Sequence, residues 1–307
     1  MNKSFASTPP LPRSNVVSTP PGRGGCGSGA AAGFTLVELM VVGTVIAVLT
    51  TLSVAGLAAT RQRVREEKTR TTIRKLHEIV VGHHESYLRR RVPFTASASD
   101  QRANAAARLE AIRRLMVLEM PDCWADVAAS PAAVKSTLPL HLQSGPVLGY
   151  ASSRPASATP ALESAECLYM IVSRGGIEPD LMEQFRSDEI GDTDGNGAPE
   201  FLDGWGNPIR FIRWAPQFSG SVVQKPDAVS FHDPFDPQRS DASAYALVPL
   251  IVSAGADGLT GVTLSTGWLS ATNLARLLEN TPQLGFGAVA DAGEAKDNIT
   301  NHDLVTK

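Results

Sequence analysis

The sequence lacks the local motifs on which most enzyme active sites are built. It contains no Gly-x-Ser-x-Gly, no His-Glu-x-x-His, no glycine-rich phosphate loop and no Cys-x-x-Cys. Its six histidines are scattered along the chain. The His232-Asp233 pair stands in a proline-rich stretch, where such a pair is more often part of a turn than of a catalytic triad. We therefore predict that the protein is not an enzyme.

The net charge of the chain is also small. The formal charge is only -3 at pH 7 over 307 residues. A dedicated nucleic-acid-binding protein needs a basic surface that the phosphate backbone attracts. We therefore predict that nucleic acid is not a partner.

Long hydrophobic runs are absent from most of the chain, with one exception. The stretch from Phe34 to Ala59 contains a single charged residue, Glu38. As a helix it would be about 39 Å long, enough to cross the roughly 30 Å hydrocarbon core of a bilayer. A carboxylate near the end of a spanning helix marks a functional site. Cleavage after Gly33 would supply its partner, because the new amino group of Phe34 can pair with Glu38 of the same or a neighbouring chain.

The run opens with a short motif, Gly33-Phe34-Thr35-Leu36-Val37-Glu38-Leu39-Met40. This motif resembles the processing site of type IV pilins and type II secretion pseudopilins. The resemblance implies that a prepilin peptidase cleaves between Gly33 and Phe34 and N-methylates Phe34. It also implies that Glu38 helps to add subunits to a helical filament.

Residues 1–33 are rich in Pro, Gly, Ser and Ala, which predicts a flexible leader peptide. This leader is longer than is usual in the family, and Ala30-Ala31-Ala32 precedes the cut where the family has a basic residue. Basic residues flank both ends of the apolar run, so the positive-inside rule does not give the orientation. The resemblance implies a single-pass protein of the inner membrane, with its head in the periplasm and, after assembly, in a periplasmic filament.

The remaining pattern predicts an α+β fold, in which a long N-terminal helix, half of it transmembrane, packs on a small antiparallel sheet. Residues 34–60 are predicted to be a transmembrane helix, which the resemblance implies is also the filament core, and 61–93 are predicted to be its amphipathic continuation, ended by Pro93. The apolar stripe of this continuation consists of Val64, Ile73, Leu76, Val80 and Tyr87.

Two further regions follow. Residues 94–191 are predicted to be a helical insertion, with helices near 102–120, 163–174 and 179–186 and a loop over 130–160. Residues 192–307 are predicted to be a β-rich head, with strands at 209–214 and 246–253 and a helix at 273–279. The apolar side of the first insertion helix consists of Leu109, Ile112, Leu115 and Met116.

The head begins with an acidic, glycine-rich loop that fits the EF-hand template. Oxygen ligands fall at positions 1, 3, 5 and 12, which are Asp192, Asp194, Asn196 and Asp203, and Gly197 stands at position 6. Hard cations bind clustered oxygens, so these four residues are candidate calcium ligands. The alternative is an acidic turn that binds no ion.

Three later segments resemble parts of the major pseudopilin of type II secretion. They are Trp205-Gly206-Asn207-Pro208, Ser253-Ala254-Gly255-Ala256-Asp257-Gly258 and Asp297-Asn298-Ile299-Thr300-Asn301. In that family the last two segments lie close together and form a calcium loop. The resemblance therefore gives Asp257 and Asp297 as alternative calcium ligands.

The sequence contains only three cysteines. Cys26 would leave with the leader. Cys123 and Cys167 are a candidate disulfide in an oxidising periplasm. The alternative, two buried free thiols, stays open.

Together these features predict a pseudopilin of a type II secretion system. Its partners would be further copies of the chain, the prepilin peptidase, the inner-membrane assembly platform and membrane lipid. Two alternatives remain: a major or minor pilin of a type IV pilus, and a bitopic membrane protein whose head binds a ligand without forming filaments.

Overall fold

The computed structural model describes residues 33–97, 100–156, 160–176, 180–265, 267 and 285–304. Within them the protein has an α+β fold, as predicted. The helices are α1 (Leu36–Ser86), α2 (Gln101–Glu119), α3 (Pro131–Thr137), α4 (Gly145–Ser153), α5 (Glu163–Arg174) and α6 (Asn301–Leu304). The strands are β1 (Ile190–Gly191), β2 (Glu200–Phe201), β3 (Arg210–Ile212), β4 (Leu250–Ser253) and β5 (Ile299–Thr300).

The chain divides into two units, Met1–Ala55 and Gly56–Lys307. Residues 33–55, the described part of the first unit, are all exposed, and their apolar side chains include Phe34, which is 78% exposed. By length and composition, α1 can cross a membrane, and none of its most apolar window is buried within the structure.

In the second unit α1 changes from a fully exposed helix to one with a buried face. Its buried residues begin at Thr69. Ile73, Leu76 and Val80 are completely buried, at the three- and four-residue spacing of one helix face. The apolar stripe predicted for residues 61–93 is therefore confirmed at these three positions. It is wrong at Val64, which is 63% exposed.

The end of α1 also differs from the prediction. The α-helix stops at Ser86 and a short 3₁₀ turn, Tyr87–Arg89, follows. Tyr87 is buried, and its hydroxyl donates a 3.0 Å hydrogen bond to Glu119 at the end of α2. The chain therefore leaves the helix several residues before Pro93.

The sheet is small and antiparallel. Strand β4 lies between β3 and β5, with Phe211 opposite Ile251 and Ser253 opposite Ile299. Strands β1 and β2 form a separate two-stranded ribbon, in which Gly191 is opposite Glu200. Phe211 of β3 and Ile251 of β4 are completely buried, so these two strands contribute apolar side chains to the core.

The helices between 94 and 191 share one hydrophobic cluster with the strands. Helix α5 packs against β2 and β3. The predicted apolar side of α2 is confirmed, since its four members are buried. The predicted loop over 130–160 is wrong, because it contains α3 and α4.

Two other predicted helices have different outcomes. In place of a helix over 179–186, the described residues form a 3₁₀ turn, Leu181–Gln184. The predicted helix at 273–279 lies outside the described residues.

Candidate functional site

The start of α1 carries a reciprocal capping arrangement. Glu38 Oε2 accepts hydrogen bonds from the backbone N–H of Thr35 (3.0 Å) and from its hydroxyl (2.9 Å). In return, the backbone N–H of Glu38 donates to Thr35 Oγ1 at 3.2 Å. This is a capping box, which satisfies backbone donors that a helix start leaves unpaired.

The capping box explains where α1 begins. Gly33 and Phe34 precede the helix as exposed, non-helical chain. A Cβ at Gly33 would meet nothing within 4 Å among the described residues. The predicted cleavage site is therefore an exposed peptide next to a helix start, and Glu38 lies one turn inside that helix.

The acidic loop at 192–197 is held mainly by Asp192. Its Oδ1 accepts from the N–H groups of Gly195 (2.8 Å) and Asn196 (3.1 Å), and its Oδ2 accepts from Gly197 (2.9 Å). Gly195 and Gly197 have positive φ angles of 74° and 89°, which glycine adopts without steric cost. Asp192 therefore shapes the turn through both of its oxygens.

Asp203 does not close this loop as position 12 of an EF-hand would. Its Oδ1 accepts from the N–H groups of Trp205 (2.8 Å) and Asn207 (2.9 Å), and its Oδ2 accepts from the Ser253 hydroxyl (2.8 Å). The side chain is almost completely buried, and burial raises the pKa of its carboxyl group. Asp203 thus fixes the turn after β2 to the end of β4.

A different set of acids meets at the loop. One carboxylate oxygen from each of Glu166, Asp194 and Glu200 lies within 4.8 Å of the other two. The Asn196 side-chain amide donates to Glu166 Oε1 (2.6 Å) and Asp194 Oδ2 (3.1 Å). The indole N–H of Trp124 donates to Glu166 Oε2. The structure therefore places Asp194 and Asn196, two of the four candidate ligands, at a group whose other members are Glu166 and Glu200.

Burial raises the pKa of both glutamates. The pKa of Glu200 rises to about 7, because the side chain loses water and lies near the carboxylates of Glu166 and Asp194. Loss of water on burial also raises the pKa of Glu166, and the hydrogen bonds that Glu166 accepts from Trp124 and Asn196 offset part of this rise. Three acids at this spacing repel one another unless protons or a cation compensate their charge.

The alternative calcium residues also lie in neighbouring segments. Asp297 Oδ2 accepts from the N–H groups of Ala256 (2.7 Å) and Asp257 (3.2 Å). Asp257 Oδ1 accepts from Leu259 N–H at 2.9 Å. Gly255, at φ 66°, lies so close to Asp297 that a Cβ there would collide with it. The two segments are thus in contact despite the long stretch of chain between them.

Cys123 and Cys167 are both buried and both free in the structure. This arrangement corresponds to the second alternative drawn from the sequence. Burial raises the pKa of each thiol, which keeps both protonated and unreactive.

Next to Cys123, a buried guanidinium occupies the centre of a second acidic group. Arg213 Nη2 lies 3.1 Å from Asp126 Oδ2 and 3.6 Å from Asp122 Oδ1, and all three side chains are completely buried. Because the arginine already supplies positive charge to Asp122 and Asp126, this group is a structural ion network.

The sequence analysis missed Glu166 and Glu200. Glu200 occupies position 9 of the loop template, a position that can supply a ligand. Glu166 has no local signal, since it lies on α5, far upstream of the loop. Only the packing of α5 against β2 brings it there.

Comparison of the chain with protein-family models, with curated proteins and with solved structures gives no match.

Proposed function

We propose that the protein is a pseudopilin, a structural filament subunit of a type II secretion system. The observation that carries the proposal is the start of α1, an exposed Gly33-Phe34 peptide followed by an apolar helix whose first turn contains Glu38. The large exposed side chains of residues 34–57 need an apolar environment. Lipid supplies it before assembly, and the helices of neighbouring subunits supply it in the filament.

The proposed route begins in the inner membrane, with the second unit in the periplasm. The prepilin peptidase removes the leader after Gly33 and methylates Phe34. An inner-membrane assembly platform then adds the subunit to a filament. At that step the amino group of Phe34 competes with Thr35 for the Glu38 carboxylate, because Thr35 holds it in the unprocessed chain.

We also propose that the head binds calcium, as the resemblance implies. Asp297 Oδ1 is buried and has no hydrogen-bond partner among the described residues. An acceptor of this kind suits a hard cation. The backbone contacts from Ala256 and Asp257 hold the carboxylate beside the segment that contains Asp257.

The experiment is mass spectrometry of the full chain, extracted from membranes of cells that contain a prepilin peptidase. We expect an N-terminus at N-methyl-Phe34. A Gly33→Leu variant is the control. It blocks the cut without disturbing the fold, since nothing lies within 4 Å of a Cβ at this position. An intact leader on the unsubstituted protein would refute the proposal and favour a bitopic protein that forms no filament.

A further inference from the structure

A group of three acids, two of them buried, lies between α5 and the β1–β2 ribbon. Glu166 belongs to α5, Glu200 begins β2, and Asp194 lies in the connecting loop. Their three carboxylate oxygens lie within 4.8 Å of one another. This limit equals the separation of two oxygens on opposite sides of one Ca²⁺ ion, which binds oxygen at about 2.4 Å.

Glu200 supplies an independent sign that a ligand belongs here. Its side chain is completely buried. Oε2 accepts a 3.0 Å hydrogen bond from Thr193 N–H, whereas Oε1 has no hydrogen-bond partner within the described part of the chain. A buried carboxylate oxygen without a partner is unfavourable. Since this carboxylate belongs to the three-acid group, a cation among the three would satisfy it.

Among the described residues, neither Glu166 nor Glu200 forms an ion pair, and their hydrogen-bond donors are the neutral groups of Trp124, Asn196 and Thr193. This distinguishes the site from the acidic pair at Arg213, where a guanidinium supplies the charge.

We propose that Glu166, Asp194 and Glu200 bind a divalent cation, and that calcium fits this site best. All three ligands are hard carboxylate oxygens, which disfavours zinc. Magnesium requires near-ideal octahedral geometry with oxygens about 2.0–2.1 Å from the ion, whereas calcium accepts carboxylate oxygens in flexible geometry at about 2.3–2.6 Å, which suits ligands from three different elements. Asn196 and Asp192 are positioning residues: the Asn196 amide joins Glu166 to Asp194, and Asp192 shapes the loop.

The ion would connect two regions that are far apart in the sequence. It would join α5 to the loop between β1 and β2, and it would therefore lock the helices of 94–191 to the head. The site is separate from Asp257 and Asp297 and does not depend on filament assembly.

The experiment uses the full chain in detergent, with calcium chloride, magnesium chloride or a chelator. For a Kd of about 10⁻⁴ M, 10 mM calcium should raise the melting midpoint by about 5–10 °C. Glu200→Gln is the decisive variant, because it keeps the shape and removes the charge. In the Asp257→Asn background, which removes the calcium site proposed at Asp257 and Asp297, it should abolish the calcium shift and leave the midpoint in chelator equal to or higher than that of Asp257→Asn alone.

Three further variants make the test specific. In the same Asp257→Asn background, Asp194→Asn should also abolish the shift, whereas Glu183→Gln, the same chemical change at an exposed acid, should leave it intact. Asp257→Asn should leave a calcium shift that Glu200→Gln still removes. A shift that persists in the double variant Asp257→Asn/Glu200→Gln, or one that Asp257→Asn alone removes, would overturn the assignment. So would a midpoint that calcium does not change.

Discussion

At the residue scale, the structure shows a capping role for Glu38, and the proposed function adds a second role in assembly. Its carboxylate caps the first turn of α1 through Thr35, and in the proposed filament it pairs with the amino group of Phe34. Capping is a local effect on one helix turn, whereas pairing between chains sets the axial position of a subunit. Substitutions of Glu38 and of Thr35, the two residues of the capping box, can therefore tell the two roles apart.

We expect Glu38→Val to leave membrane insertion intact or improved, because a carboxylate in hydrocarbon is unfavourable. Filament yield should nevertheless fall by about tenfold or more, because the amino group of Phe34 loses its partner in the apolar filament core. The measurement is the amount of sheared filament relative to membrane-bound subunit. Thr35→Val is the control, since it removes the capping hydroxyl and keeps the carboxylate. Normal filament yield in Glu38→Val would contradict the pairing role.

A second prediction at this scale concerns His84, which is 5% exposed and packs edge-on against Phe235. Burial lowers its pKa to about 4, and the neighbouring His83 and Arg213 add to the effect. The unfolded chain therefore binds a proton at a higher pH than the folded one. The stability that neutral His84 contributes is complete above about pH 6.5 and is lost as the pH falls towards 4.

We expect His84→Leu to weaken the dependence of the unfolding free energy on pH. Between pH 7.5 and 5.5, the unsubstituted protein should lose about 1 kcal/mol more than the variant, from the linkage of one proton. Denaturant unfolding at the two pH values measures this difference. His141→Gln, a change at an exposed histidine, should keep the original dependence. Equal pH dependence in His84→Leu and the unsubstituted protein would count against a buried neutral histidine.

At the element scale, the second half of α1 is fixed to the sheet by the turn after β2. Gly204 N–H donates to Thr69 Oγ1 at 2.8 Å, and Trp205 Nε1 donates to Gln62 Oε1 at 3.2 Å. Gly204 lies so close to α1 that a Cβ would collide with the carbonyl group of Arg65. The glycine is therefore required by close approach of two backbones.

This close approach gives a paired prediction. Gly204→Ala should lower the unfolding free energy by about 1–3 kcal/mol, because the turn must move away from α1 and loses its bond to Thr69. Gly82→Ala should raise it by about 0.5–1 kcal/mol, since this glycine lies in a helix with nothing within 4 Å of a Cβ. Denaturant midpoints of the two variants provide the measurement. A Gly204→Ala variant as stable as the unsubstituted protein would show that the turn does not need glycine.

The elements that the sequence predicted well are those with long periodic patterns. The buried face of α1 follows from the spacing of Ile73, Leu76 and Val80, and α2 follows from a similar stripe. The short helix α3 was missed, although Ser130 caps it and Pro131 is its first residue. Both are standard start signals, but seven residues are too few for a periodic pattern to support them.

The candidate cation site could be predicted only in part, for a reason of tertiary packing. The spacing of Asp194 and Asn196 gave an oxygen-rich loop, and both lie at the three-acid group. An EF-hand continues into a helix, whereas here Glu200 starts a strand that pairs back with β1. That pairing directs Asp203 to Ser253. Glu166 comes from a helix whose position no local pattern encodes.

At the scale of the whole molecule, hydrophobic residues are distributed unequally between the two units. Residues 33–55 are exposed throughout, and the buried residues of α1 begin at Thr69. The core cluster lies entirely in the second unit. Within the described residues, no side chain of 33–55 is buried, so the hydrophobic residues of this half of α1 are not part of the core cluster.

This distribution predicts that residues 61–307 fold without the apolar half of α1. The fragment keeps every residue of the core cluster and loses the exposed apolar side chains of 34–57. It should therefore be monomeric without detergent and should unfold cooperatively, with a midpoint within about 3 °C of the full chain in detergent. Size-exclusion chromatography and thermal melting measure both properties.

A shorter fragment, 71–307, is the matched comparison. It retains Ile73 and Leu76 but removes Gln62, Arg65 and Thr69, the residues of α1 that the turn after β2 contacts. The loss of two hydrogen bonds and of the backbone contact should lower the melting midpoint by about 3–8 °C relative to 61–307. Aggregation of 61–307, or melting without a cooperative transition, would mean that the apolar half of α1 is needed for folding as well as for the membrane. Equal midpoints for the two fragments would instead show that the contacts between α1 and the turn after β2 do not stabilise the fold. The buried face of α1 alone would then hold it against the sheet and the other helices.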